Sequence, residues 1–184
     1  MMRSCKTLTM AWVLIWALLT PLASWSQTPG SAASAEVLGA YFSPPDNAAQ
    51  AIISRIDQAK TEVLVQAYGF THNGIARALV RATERGVKVR VIMDAKSAKT
   101  NRFVVEVLNE HRVPYRWDGK HAIAHNKVMI IDSLVVVTGS FNFTNSAQTR
   151  NAENVLILRS SELAKEYRSH WHTHWDHSTD QPKK

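Results

Sequence analysis

Apolar positions along this 184-residue chain follow two rhythms, one of every second residue and one of every third or fourth. Residues 36–42 alternate and read as a first strand. The turn-forming run Ser43-Pro44-Pro45-Asp46-Asn47 follows, with Asp46 expected to cap a helix running to about Lys60. Ala48, Ile52, Ile53 and Ile56 give that helix one apolar face. Residues 62–70 read as a strand with Val63, Val65 and Ala67 on one side. Residues 71–86 read as a second helix, closed by Gly86 where a left-handed cap is wanted. A strand of β-branched and basic residues spans 87–94. A third helix is expected over about Thr100–Glu110, with Phe103, Val107 and Leu108 inward, and a short strand over 113–118.

The second half changes character. Residues 124–132 and 134–140 are strand-like runs joined by a hairpin at Asp132-Ser133. Residues 142–151 read as a polar loop and 152–158 as another strand. Ser160 is placed to cap a last helix reaching about Trp175, with Leu163, Tyr167, Trp171 and Trp175 as its buried stripe. The β-α alternation of the first half argues for crossover helices. The expected fold is therefore α/β: a mixed, largely parallel β-sheet flanked by helices on both faces. The expected layout is one domain over 36–177 with a polar tail over 178–184.

The first 26 residues break the pattern. Arg3 and Lys6 precede an apolar run of about a dozen residues, and small residues follow, which is the three-part form of a secretory signal. The run is short for a membrane span, which needs about 20 apolar residues. Cleavage is expected after Ser26 or Ala35, with residues 27–35 a flexible lead-in and the product periplasmic or secreted. Its loss removes two basic groups and no acid, so the net charge of +7 falls by two and stays positive. A basic surface favours anionic partners without fixing the fold. The single cysteine, Cys5, leaves with the signal, so no disulfide or thiolate metal site remains.

The chemistry concentrates in His121-Ala-Ile-Ala-His125-Asn-Lys127-Val-Met-Ile-Ile-Asp132. Two histidines four apart could share one helix face as zinc ligands. A zincin helix, however, places Glu directly after the first histidine, and here Ala122 stands there. The β-branched run that follows favours a strand. On a strand His125 and Lys127 share a face. An imidazole beside an ammonium suits a phosphodiester: the lysine neutralises non-bridging oxygens while the histidine attacks phosphorus or moves a proton.

Downstream residues extend the pattern to His125-x-Lys127, four residues, Asp132, six residues, then Gly139-Ser140-Phe141-Asn142, followed by Asn-Ala-Glu153-Asn. This resembles the signature of the phospholipase D superfamily, with each specified position present. The order of elements and the Trp-bearing last helix resemble its short bacterial endonucleases, over nearly the whole chain after residue 35. The resemblance implies a phospholipase D-like fold and a reaction with no metal and no cofactor. In that family a histidine attacks the phosphodiester to form a phosphohistidine, a second motif's histidine protonates the leaving oxygen, and water releases the product. This chain holds one His-x-Lys, and short members of the family supply the second histidine by pairing identical chains.

The resemblance thus implies a homodimer with His125 as nucleophile on one chain and general acid on the other. Lys127 and Asn142 would hold phosphate oxygens with Ser140 assisting. Glu153 would accept an imidazole N–H. Asp132 stays open between a catalytic role and a turn-closing one. His121, outside the motif, reads as a rim or core histidine. The histidines 170, 174 and 177 read as a solvated helix face opposite the Trp stripe, able to pick up metal only adventitiously. Asp94, ending a strand, is either a site residue or a turn cap. Lys96, Lys99, Arg102, Arg116, Lys120 and Arg150 are candidates for a rim that follows a nucleic-acid backbone. The functional expectation is an endonuclease of low sequence preference acting on DNA, with RNA a further substrate. The alternatives are a hydrolase of phospholipid or cardiolipin and a nucleic-acid-binding protein without turnover.

Overall fold

The structure, a computed structural model, describes residues 34–182. The expected signal over 1–26, and the lead-in except its last two residues, lie outside the described residues. Strands β1 (Glu36–Ser43), β2 (Glu62–Ala67), β3 (Lys88–Asp94), β4 (Tyr115–Asp118), β5 (Lys127–Ile131), β6 (Val135–Gly139) and β7 (Glu153–Arg159) form one sheet in the order β1-β7-β6-β5-β2-β3-β4. The helices are α1 (Ala48–Gln58), α2 (Asn73–Glu84), α3 (Arg102–Glu110), a short α4 (Asn145–Thr149) and α5 (Ser161–His177).

The sheet is mixed, as expected, but its parallel part is smaller than the β-α alternation implied. Only β2-β3 and β3-β4 pair in parallel; the other four neighbours are antiparallel. The cause is β1. Instead of lying beside β2 it crosses to the opposite edge and pairs with β7, Glu36 facing Arg159 and Ser43 facing Glu153. Alternating elements announce crossovers without saying where in the sheet a strand inserts.

Helices do cover both faces. Ile52 and Ile56 of α1, Ile75 and Leu79 of α2 and Leu108 of α3 pack on the face carrying Val63, Val65, Val91 and Met93. The opposite face, with Leu64, Ile92, Ile130 and Val136, is covered by Ala164 and Trp171 of α5. That two-sided cover explains why every residue of β2 and β5 is buried, so that their sequences run apolar rather than alternate. Trp171 also donates its indole N–H to the carbonyl of Val65 at 2.9 Å, which satisfies the one polar atom of a fully buried ring. At the rim of α5, Glu62 accepts from Arg168 (2.9 Å) and Arg90 (3.1 Å). Burial works against its charge, and the two guanidinium groups hold its pKa below the usual value.

Several local expectations are corrected. Asn47, not Asp46, caps α1 through Gln50 N–H, because the Asp46 carboxylate is used to accept from Phe42 N–H at 2.8 Å and close the preceding turn. Phe103 is 46% exposed, since the inner face of α3 is set by Val104 and Leu108. The loop over 142–151 contains α4, capped by Thr144. The tail is tied down at its start: Trp117 and Thr179 exchange backbone hydrogen bonds at 2.8 and 3.0 Å, so ordered structure passes residue 177. Among the described residues no helix is long and apolar enough to cross a membrane.

Candidate active site

The parallel strands β2 and β3 and the antiparallel β5 bring different chain segments to one end of the sheet's central strands. Ala67 at the end of β2 faces Lys127 at the start of β5. The strand thus begins three residues later than the sequence implied, and His125 sits in the segment just before it. The shared face survives this shift. Lys127 is buried and donates from Nζ to the carbonyl of His125 at 2.7 Å. Both groups rest on Tyr68. The His125 ring lies 4.7 Å from the Tyr68 ring, edge to face, and the Lys127 ammonium lies 5.3 Å from its centroid. The imidazole itself is exposed.

Tyr68 carried no signal in the sequence, and neither did the residue that holds it. Asn101, fully buried, donates to the carbonyl of Tyr68 at 3.0 Å and accepts from Phe70 N–H at 2.8 Å. One side-chain amide thereby fixes the backbone on both sides of Gly69. Tyr68 N–H in turn bonds the carbonyl of Asn126, between the two motif residues. These partners are separated by tens of residues, a distance that local patterning cannot bridge.

Burial lowers the Lys127 pKa, and the negative charge of Glu153 partly restores it. An ammonium has three protons. One is committed to His125, which leaves two for a phosphate. Asn142 accepts a long bond from Gly69 N–H at 3.4 Å through its Oδ1, so its amide protons are uncommitted among the described residues.

Ser140 and Glu153 differ from expectation. The Ser140 hydroxyl donates to Glu153 Oε2 at 2.5 Å and accepts from Asn154 N–H at 3.0 Å. Its single proton is spent, so within the chain it braces the Gly139–Asn142 turn rather than holding phosphate. Glu153 is taken up by Ser140 and, at 3.1 Å, by Asn151; no bond to His125 occurs among the described residues. Gly139 completes the brace. It sits at φ +149°, and a Cβ there would fall 2.2 Å from the carbonyl oxygen of Asn154. Only glycine lets the turn approach β7 closely enough for Ser140 N–H to reach that carbonyl at 3.1 Å.

Asp132 is at the other end of β5. It and Ser133 both have positive φ, 54° and 52°, and with Leu134, whose N–H bonds the Ile131 carbonyl at 3.0 Å, form the hairpin turn into β6. Its carboxylate accepts from the backbone N–H groups of Lys60 (2.9 Å), Thr61 (2.7 Å) and Glu62 (3.0 Å) and from the Thr61 hydroxyl (2.9 Å). Burial opposes its charge, and these donors outweigh it and lower its pKa. Of its two open roles, the geometry within the chain gives the structural one. Asp94 likewise acts as a cap and tie: it accepts from Ser97 N–H and, at 2.8 Å, from Ala124 N–H. Of the expected basic rim, Lys96, Lys99, Arg102, Lys120 and Arg150 are exposed. Arg116 is not available. It lies over the Trp175 ring and bonds the Trp175 carbonyl and Asp180.

The histidines of α5 are the largest departure. His174 is buried and places Nδ1 2.6 Å from the Asp118 carboxylate, and His177 lies beside it. This is no solvated face. A helix wheel separates the Trp stripe from the histidine stripe but cannot show that β4 supplies a carboxylate to the second.

An exposed imidazole, a buried ammonium and uncommitted amide donors thus meet at one end of the central strands of the sheet. The chain belongs to the phospholipase D-like family: the profile described as cardiolipin synthase, PLD-like domain, matches residues 52–175. A phospholipase D from Rickettsia conorii is 42% identical over 130 residues, which cover 71% of this chain and 65% of that protein. The chain therefore spans somewhat under two thirds of that relative. A mitochondrial cardiolipin hydrolase from dog is 28% identical over 152 residues, covering 82% and 60%. Among solved structures, the phospholipase D family member Nuc from Salmonella typhimurium superposes with a TM-score of 0.76 at 34% identity, covering 82% of this chain and all of that one. NucT from Helicobacter pylori gives 0.71 at 26% identity, covering 79% and 99%.

Proposed function

We propose that the chain is a phosphodiesterase working through a phosphohistidine, with nucleic acid, DNA above all, as substrate and RNA as a second one. The single observation that carries this reading is the His125–Lys127 pair on the Tyr68 platform: an exposed imidazole with a lysine beside it that has two protons to offer. In the first step a ring nitrogen of His125 forms a bond to phosphorus. The P–O bond to the leaving group breaks, and a second imidazole, protonated, gives its proton to that oxygen. In the second step the same imidazole, now neutral, takes a proton from water. The oxygen bonds to phosphorus and the P–N bond breaks. Lys127 and Asn142 neutralise the non-bridging oxygens throughout, the role a divalent ion plays in other phosphoryl transfers.

The second imidazole is His125 of another copy in a homodimer. Supporting this, the chain has one His-x-Lys, and the His125 imidazole stands exposed at the end of the central strands. Apolar Phe42 (61% exposed), near the end of β1, and Ile123 (48%), two residues before His125, are surfaces that a partner would cover. The nucleic-acid preference rests on the exposed cations Lys96, Lys99 and Arg102 beyond the end of β3 and on the overall charge of +7. Release from the cell or into a periplasm, through the apolar N-terminal segment, belongs to the same proposal.

The test is incubation with plasmid DNA and, separately, with cardiolipin-containing vesicles, each with and without EDTA. Nicking that survives EDTA and disappears in His125→Ala is the expected result. Lipid turnover with intact plasmid would replace the nuclease reading by a phospholipid hydrolase, which the named relatives make the natural second reading. A fully active monomer in light scattering would remove the shared site.

A further inference from the structure

We propose that Asp118, His121, His174 and His177 form a binding site for one divalent transition-metal ion of the zinc class, separate from the phosphate site and structural in purpose. One ligand atom from each of the four lies within 4.8 Å of the others. Three ring nitrogens converge on one carboxylate: His174 Nδ1 at 2.6 Å, His177 Nε2 at 3.2 Å and His121 Nδ1 at 3.4 Å. Ligand atoms around tetrahedral zinc, each about 2.0–2.1 Å from the ion, stand about 3.3 Å apart. The His177 and His121 separations, 3.2 and 3.4 Å, match that spacing, and His174 Nδ1, at 2.6 Å, needs only to move outward by several tenths of an ångström as the ion replaces its hydrogen bond.

Hydrogen bonding alone accounts poorly for the cluster. Asp118 Oδ1 already accepts from Lys120 N–H at 3.1 Å, and both His121 and His177 press on that same oxygen. His177 Nε2 is buried and, although 3.2 Å from the carboxylate, lacks a hydrogen-bond alignment. A buried ring nitrogen aimed at a shared centre without a proper proton partner is what a ligand looks like before its ion arrives. Three neutral imidazoles and one carboxylate carry a net single negative charge, which suits a dication. Nitrogen-rich donors select zinc, copper or nickel over magnesium or calcium. A pocket of about 260 Å³ lined by Gly119, Lys120, His177 and Thr179 gives the ion and a water access from solvent.

The placement gives the site a purpose. Asp118 ends β4, and His121 lies in the segment that runs from it to β5; His174 and His177 lie at the end of α5. The same segment is held further along by Asp94 at Ala124 N–H, and the next residue is His125. An ion here clamps α5 to the loop that delivers the nucleophile. His170, whose ring is 4.6 Å from that of His174, is not in the ligand set and serves as a control.

The experiment strips the purified protein with EDTA, removes the chelator, and titrates zinc chloride while metal content and thermal unfolding are measured. Cobalt(II) is added to a second sample for its visible absorption. Expected are one zinc per chain, a Tm rise of about 5–10 °C at a hundredfold excess over Kd, and the intense bands of tetrahedral cobalt. His121→Ala and His177→Ala should weaken binding at least about tenfold; His170→Ala and His125→Ala should leave it unchanged. No stoichiometric uptake, or uptake that His121→Ala and His177→Ala leave as it was, overturns the site. Because metal uptake and Tm are read without substrate, this outcome is independent of whether His125 turns over DNA.

Discussion

The two ends of β5 belong to one sequence signature and do opposite work. At its start stand the exposed His125 and the buried Lys127, whose ammonium commits one of its three protons to the His125 carbonyl. At its end, Asp132 has four donors around it and nothing left over. A motif of fixed spacing therefore need not be a set of residues that meet. Here the spacing measures the length of a buried strand, with chemistry at one end and a backbone tie at the other. The tie matters to the chemistry indirectly: by fixing the connection from α1 into β2, at Lys60–Glu62, to the hairpin, it supports the register in which Ala67 faces Lys127.

The contrast is easiest to break at its extremes. His125→Ala should reduce phosphodiesterase turnover by about 10³-fold or more while leaving the unfolding curve in place, since the ring is exposed. Asp132→Ala should do the reverse. It leaves three backbone N–H groups without their acceptor and should cost about 2–3 kcal/mol in chemical denaturation, with the activity of the folded fraction largely retained. If Asp132→Ala instead kept full stability and lost turnover, the structural assignment of that end would be wrong. A smaller effect separates Lys127 from its surroundings. Burial lowers its pKa and Glu153 raises it, so Glu153→Gln should lower it further. The alkaline limb of kcat/KM then moves to lower pH, because the ammonium is lost sooner as pH rises. The smallest effect belongs to the rim. Lys96→Glu with Arg102→Glu should raise KM for DNA a few-fold and flatten the salt dependence by about one unit of slope per lost phosphate contact.

Acid should act on a different part of the molecule. The Glu62 pKa is lowered in the fold, so the stability it contributes is complete above the usual carboxylate value and is lost as pH falls through the folded one. Because Glu62 joins β2 to Arg168 of α5, the docking of that helix is the contact that acid weakens. Circular dichroism of Glu62→Gln across that range should show a flatter acid limb than the parent protein.

Much of this was legible in the chain. The strands and long helices followed the apolar rhythm, and His125, Lys127 and Asn142 stood out by type and spacing. What escaped did so for physical reasons. The Tyr68 platform and its Asn101 clamp arise from contacts between β2 and the start of α3, which no local pattern encodes. Ser140 and Glu153 look like free polar groups until β6 and β7 place them 2.5 Å apart. The crossing of β1 to the far edge is decided by which partner buries it. The histidines of α5 seemed solvent-facing because Asp118 lies 56 residues from His174 in sequence.

The cover of the second face by α5 has a consequence for biosynthesis. Leu64, Ile92, Ile130 and Val136 have no covering helix until α5 arrives, and β1 has no neighbour in the sheet until β7 is made. The earliest strand to leave the ribosome waits for the sixth after it, and the sheet waits for the last helix. A nascent chain of this design stays open until nearly all of these elements have been translated.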